Sequence, residues 1–294
     1  MSRTLPRSMH QPGPAAPVRV SAVAARGRDL MFDLRKGGLL VDAVREGFAA
    51  HGFGSGVVEL RNVAFSPFAY VMPALSKTGE NAAFYSDIFR PEGITLLREG
   101  ALTYGLRDGQ PFFHCHGLWV EPDGRACGGH LMPEEVVVAE TCRVTALGLD
   151  GAAFEGRPDP EINFKVFGPV SAAANGRGDH ACHAIRLHPN VCFHGALEDY
   201  CRANGIIRAR LRGGVGSTIG VVFEDGRELP GFATEFYVRQ GQVTPDADGN
   251  LVAEIDIGVI EYLGNMAEGR LKRGDNPVLM TVEIALDVVA QKGD

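Results

Sequence analysis

Apolar residues recur at spacings of three and four in two stretches of the chain. Residues 39 to 53, LLVDAVREGFAAHGF, lie over 192 to 206, CFHGALEDYCRANGI, at a constant offset of 153. Leu40 falls on Phe193, Ala43 on Ala196, Val44 on Leu197, Phe48 on Cys201 and Gly52 on Gly205. That spacing predicts an amphipathic helix in each copy, and the closing glycine suits a left-handed position after a helix end. Each helix runs into a strand-like segment, VVELRNVAF at 57 to 65 and IIRARLRGGVG at 206 to 216, and alternation returns in EEVVVAETCRVTAL and PVLMTVEIALDVV. Each copy therefore reads as strand, helix, then several strands. The class is α+β, with two domains that each pack a mostly antiparallel sheet with an amphipathic helix.

A second pair of segments extends the repeat. Residues 114 to 131, HCHGLWVEPDGRACGGHL, lie over 254 to 271, EIDIGVIEYLGNMAEGRL, at an offset of 140, with Glu121 on Glu261, Gly124 on Gly264, Gly129 on Gly269 and Leu131 on Leu271. The fall in offset from 153 to 140 places thirteen additional residues in the first copy. They are assigned to 66 to 93, where turn formers and aromatics interrupt the strand pattern. The proline-rich stretch 151 to 180 is the expected junction, with INFKVF at 162 to 167 as a candidate docking strand. The division is then 1–28, a disordered basic tail; 29–150, the first domain; 151–180, the junction; and 181–294, the second domain. The tail holds five arginines and no acid before Asp29, and it lacks the apolar core of a secretory signal.

Composition narrows the class. The 294 residues are 45% hydrophobic and 22% charged, which excludes disorder over the whole length. No run approaches the ~18 apolar residues of a membrane span. The formal net charge of −7 argues against a chain devoted to neutralising phosphates. Six cysteines without a CxxC pair fit free thiols in a reducing compartment, the cytoplasm.

The richest chemistry lies in 114 to 131. Glu121-Pro122-Asp123-Gly124 is turn chemistry between two strands. A hairpin centred near Asp123 puts His130 opposite His116, and His114, two residues back, shares their face. Three imidazoles at one spot form an open divalent-metal site, zinc first, whose uncompensated +2 charge favours polarising a carbonyl or ionising water. The other reading is three histidines that hydrogen-bond each other or line a subunit contact. In the second copy the same positions are Glu254, Asp256 and Arg270, so that copy has lost the metal. Register places Asp256 opposite Arg270, either as a structural ion pair or as a ligand clamp built on Arg270.

At these residues the chain resembles the plants-and-prokaryotes-conserved (PPC) domain, whose signature includes an HxH strand, an acidic-Gly turn and a GGHL strand. His114, His116, Gly128, Gly129, His130 and Leu131 match as they stand. The resemblance spans about 28 to 150 and, more weakly, 181 to 290, as a tandem PPC protein with a degenerate second copy. It implies an α+β fold, assembly as a trimer and metal-binding histidines. In plants the domain accompanies AT-hooks in transcription-factor complexes, and prokaryotic members are often named for DNA binding without a demonstrated reaction. Neither Arg26-Gly27-Arg28 nor Gly156-Arg157-Pro158 completes the Arg-Gly-Arg-Pro core of an AT-hook.

Two functions follow. One is a metal-dependent protein for a small carboxylate ligand, acting as a hydrolase, lyase or isomerase, with Tyr85, Asp87 and Glu99 as acid–base candidates and Arg90 and Arg270 as ligand-binding candidates. The alternative is an oligomeric, DNA-associated regulatory scaffold that uses the basic tail. Gly213-Gly214-Val215-Gly216-Ser217 reads as a strand bulge rather than a phosphate loop. His180, His183, His188 and His194 read as junction and helix-entry residues.

Overall fold

The protein is described here by a computed structural model covering residues 8–289. Its elements in chain order are β1 (Val20–Leu34), α1 (Leu40–Ala50), β2 (Gly56–Phe65), the short β3 (Tyr70–Val71), β4 (Pro73–Ala74) and β5 (Phe84–Tyr85), then β6 (Thr95–Arg107), β7 (Gln110–Val120), β8 (Ala126–Leu131) and β9 (Cys142–Asp150). A hairpin, β10 (Ala152–Asp159) and β11 (Phe164–Ser171), leads to β12 (His180–Leu187), α2 (Phe193–Ala203), β13 (Ala209–Val222), β14 (Glu228–Pro245), β15 (Leu251–Glu261), β16 (Met266–Arg270) and β17 (Val278–Val288). The class is α+β, mostly antiparallel sheet with two short helices. Among the described residues no helix is long and apolar enough to cross a membrane.

Strand order is the same in both halves. It runs β1-β9-β2-β6-β7-β8 in the first and β12-β17-β13-β14-β15-β16 in the second. The halves join edge to edge where β1 pairs antiparallel with β12, from Val20 opposite Leu187 to Gly27 opposite His180. They also meet face to face: Ala101, Val215 and Tyr237 form one cluster with Leu118, and Ile260 enters the first-half core. Arg239 on β14 reaches Glu99 on β6 at 2.8 Å, and Arg212 on β13 reaches Asp29 on β1 at 2.6 Å.

Each helix buries the stripe its spacing predicts. Leu40, Ala43, Val44, Gly47 and Phe48 face the core from α1, and Phe193, His194, Leu197, Glu198 and Cys201 from α2. Gly52 and Gly205 follow at φ +79° and +67°, the left-handed stop expected of them. Gly213 and Gly214 form a bulge in β13, where the register against β17 shifts between Arg212 and Val215. A Cβ on Gly213 would lie 2.7 Å from Val57 of the first half, so the bulge also lets the halves approach.

Two sequence expectations change. Residues 20–28 are not tail but the first part of β1, and Gln11 and Arg19 ahead of it bond Leu279 and Glu161. The strand was obscured because its inward residues are small: Val20 and Ala22 pack on the second-half core, Val23 and Ala25 on the seam. Residues 1–7 of the expected tail lie outside the described residues. The junction goes beyond the strand expected at 162 to 167: β11 takes up part of that segment and pairs with β10, a strand not expected, which lies beside the end of β6.

His188 and His194, near the start of α2, are buried, and that burial pushes each imidazole down to about 4. Each is neutral in the fold, whereas the unfolded chain protonates near its ordinary ~6.5. The stability they support is present above that value and is lost as pH falls from about 6.5 toward 4, at up to ~1.4 kcal/mol per pH unit for each group. Urea midpoints are expected to fall between pH 7 and 5, and His194→Gln is expected to flatten the decline.

Candidate metal centre

The turn at 121 to 124 sets the register of β7 and β8. Arg125 donates its backbone N–H to the Asp123 carboxylate, and Gly124 takes φ +87°. His116 then sits opposite His130, and Gly117 opposite Gly129. Gly129 has φ +144°, and a Cβ there would collide with the Val71 carbonyl oxygen. Only glycine lets β3 lie along β8, where Val71 pairs with His130.

Three imidazoles converge, with one nitrogen of each lying within 4.8 Å of the others. His114 Nε2 is 3.0 Å from His116 Nε2, which is 3.4 Å from His130 Nδ1. Their outer nitrogens fix two of the tautomers. His116 Nδ1 faces the Phe236 carbonyl oxygen at 2.9 Å, so it carries the hydrogen and donates. His114 Nδ1 donates to the Glu283 carboxylate at 2.9 Å. Both Nε2 atoms therefore turn lone pairs toward the same point. Tetrahedral ligands at ~2.0–2.1 Å from a zinc ion stand about 3.3 Å apart, so the spacing fits a shared cation. A carboxylate behind one ring and a backbone carbonyl behind another are the partners that hold ligating histidines. Burial first, then the neighbouring His114, holds His116 and His130 well below the ordinary imidazole range, which leaves both neutral and able to ligate.

The partners come from the second half, which lacks the three-histidine cluster, Phe236 from β14 and Glu283 from β17. So does Glu235, whose Oε1 lies 3.9 Å from His116 Nε2 while Oε2 has no hydrogen-bond partner among the described residues. Burial raises its carboxyl well above the usual range. The sequence reading missed both acids. Their signal was a carboxylate set among mostly apolar neighbours within a strand, ATEFYV in β14 and TVEIAL in β17.

The other expected site residues are scattered. Tyr85 is beside the histidines, its ring centroid 5.3 Å from that of His130, and burial, then Glu235 and Glu283, push its hydroxyl upward. Asp87 is exposed. Glu99 gives its carboxylate to Arg61 and Arg239, and Arg90 pairs with Glu135 at 2.6 Å. Arg270 stands opposite Asp256 in the ladder, but the expected ion pair is not made. Arg239 takes Asp256 at 3.0 Å, and Arg270 turns to Glu254 at 2.9 Å.

A cavity of about 340 Å³ opens beside His114 and His130, walled by Tyr85, Phe112, Phe164 and Phe167, with Arg107 and Lys165 among its lining. The 66–93 segment and the junction thus each supply a wall.

No protein-family model and no curated protein matches the chain. Among solved structures it is similar to a plant- and prokaryote-conserved (PPC) protein from Pyrococcus horikoshii, with 17% identity and a TM-score of 0.40, covering 51% of this chain and 97% of that one. It is also similar to a metal-containing protein from Archaeoglobus fulgidus, with 21% identity and a TM-score of 0.38, covering 48% and 94%.

Proposed function

We propose that this PPC-like chain holds one divalent transition metal, zinc first, on His114, His116 and His130, and acts on or binds a small carboxylate ligand that enters through the adjoining cavity. One observation carries the reading: two imidazoles turn unprotonated nitrogens to one point while a carboxylate and a carbonyl hold them from behind. Bound there, the ion would supply Lewis acidity, because three neutral ligands leave its +2 charge uncompensated. The chain's own groups do the rest. Glu283 and the Phe236 carbonyl fix ring orientation, Tyr85 and the phenylalanines exclude water, and Glu235 and Tyr85 are the polar groups placed to move a proton. Hydrolysis, lyase and isomerase chemistry all fit this set.

Metal content of purified protein tests the reading, by the stoichiometry of bound zinc, cobalt or manganese after dialysis. Glu283→Gln keeps the shape but replaces the charged acceptor, and it is expected to weaken metal binding by about 10- to 100-fold in competition with a chelator. Unchanged affinity would remove Glu283 from the design.

The matching strand order of the halves supports descent from one duplicated unit, the second copy having exchanged its histidines for Glu254, Asp256 and Arg270. The family resemblance adds a homo-oligomer, a trimer, which sedimentation equilibrium would read directly.

A further inference from the structure

The cavity beside the histidines has two cations in its lining, and they differ. The ammonium of Lys165 is held by both carboxylate oxygens of Asp108, each at 2.7 Å. Arg107 makes no hydrogen bond or ion pair through its guanidinium among the described residues; it lies over the Phe112 ring, 4.9 Å from the centroid. Its stem runs past Gly156, where a Cβ would come within 3.1 Å of the Arg107 Cγ. The junction hairpin therefore leaves room for this side chain and holds it at the cavity. A part-buried guanidinium with its hydrogen-bond donors uncommitted favours an anion that can take them, and its planar fork matches a carboxylate through two parallel hydrogen bonds.

The remaining walls select the rest of the ligand. Phe112, Phe164, Phe167, Val71 and Met132 present flat or aliphatic surface. Glu134 also lines the cavity and the Glu283 carboxylate lies behind His114, so beyond the charge that Arg107 takes, a second negative charge on the ligand would meet a carboxylate rather than a free cation. A volume of about 340 Å³ is at the small end for ligand pockets, room for one ring rather than a polymer. We propose that the cavity takes a monocarboxylate with an aromatic or branched apolar body, its carboxylate on Arg107 and its body between Phe112, Phe164 and Phe167. This deepens the reading above, resting on the same cavity, and it identifies Arg107 as the specificity-determining residue in place of Arg90 and Arg270.

The test is titration calorimetry on the full, zinc-loaded chain with phenylacetate, phenylacetamide and phenyl phosphate. Phenylacetate is expected to bind about tenfold tighter than its amide, the worth of one charge-assisted pair. Arg107→Met is expected to close that gap, and Lys165→Met to leave it open because Asp108 already holds that charge. Equal binding of acid and amide to the unmodified protein, absence of binding by either, a gap that survives in Arg107→Met, or tightest binding of phenyl phosphate would each overturn the proposal. The comparison of acid with amide needs no variant, so misfolding of a mutant does not shield it. Zinc measured on the same samples separates the two claims. A retained gap without zinc defeats the metal reading alone, and full zinc without a gap defeats only this one.

Discussion

His116→Ala is expected to reduce bound metal from about one equivalent per chain to less than about a tenth, because three protein ligands are the usual minimum for an open zinc site. The central ring is the sensitive one. Its Nε2 is the atom that both His114 and His130 approach, at 3.0 and 3.4 Å. It is also buried, with its Nδ1 committed to the Phe236 carbonyl, so water cannot simply take its place. Removing the imidazole leaves that carbonyl without its donor, which adds a stability cost of about 1–3 kcal/mol. His116→Gln provides the control, since its amide can still donate to Phe236 but lacks an imidazole lone pair. Metal lost in both variants while the glutamine protein melts near the unmodified one assigns the effect to ligation. Metal retained at full stoichiometry in both would refute the site.

Trp119→Ala carries the largest expected stability loss, about 3–5 kcal/mol. Trp119 lies on the histidine hairpin, directly opposite Cys127, and is 1% exposed. Its ring meets Tyr70 edge-on at 4.7 Å and Phe68 at 5.0 Å. Those residues open the first-half insertion, whose β3 lies along β8 beside His130. Truncation therefore hollows the core and loosens the strand that backs the third ligand. Chemical denaturation measures the first effect. The second is expected as weaker metal binding in a protein that is still folded, whereas a large drop in midpoint with unchanged metal affinity would show that the insertion does not brace the site.

What could be read in advance follows from how local each signal is. The helices were legible because Leu40, Val44 and Phe48, and their counterparts Phe193, Leu197 and Cys201, carry the period within a dozen residues. The pairing of His116 with His130 was legible because a Pro-Asp-Gly turn between two short strands leaves little choice of register. Glu235 and Glu283 were not legible as partners of the histidines, since over a hundred residues separate them and the face-to-face packing of the halves brings them together. The same holds for Phe164 and Phe167: their segment reads as a docking strand, but their place at the cavity follows only once β10 settles beside β6. Arg107 gave no sign either, because an arginine at a strand end before an Asp-Gly turn is ordinary. Its distinction appears only in three dimensions, where its guanidinium makes no hydrogen bond or ion pair among the described residues.

The supply of Phe236 and Glu283 by the later half has a consequence for biosynthesis. The ribosome delivers His114, His116 and His130 first, on a half-made chain whose β1 edge has no β12 to cover it. At about 5–20 residues per second, the 153 residues that separate His130 from Glu283 take roughly 8 to 30 s to emerge. Until Phe236 and then Glu283 emerge, the imidazoles lack first both their carbonyl and their carboxylate support and then the carboxylate, and the open strand invites pairing with another nascent chain. On the proposed metal reading, capture would belong to the finished polypeptide, because β17, the last strand in chain order among the described residues, is the one that completes the centre.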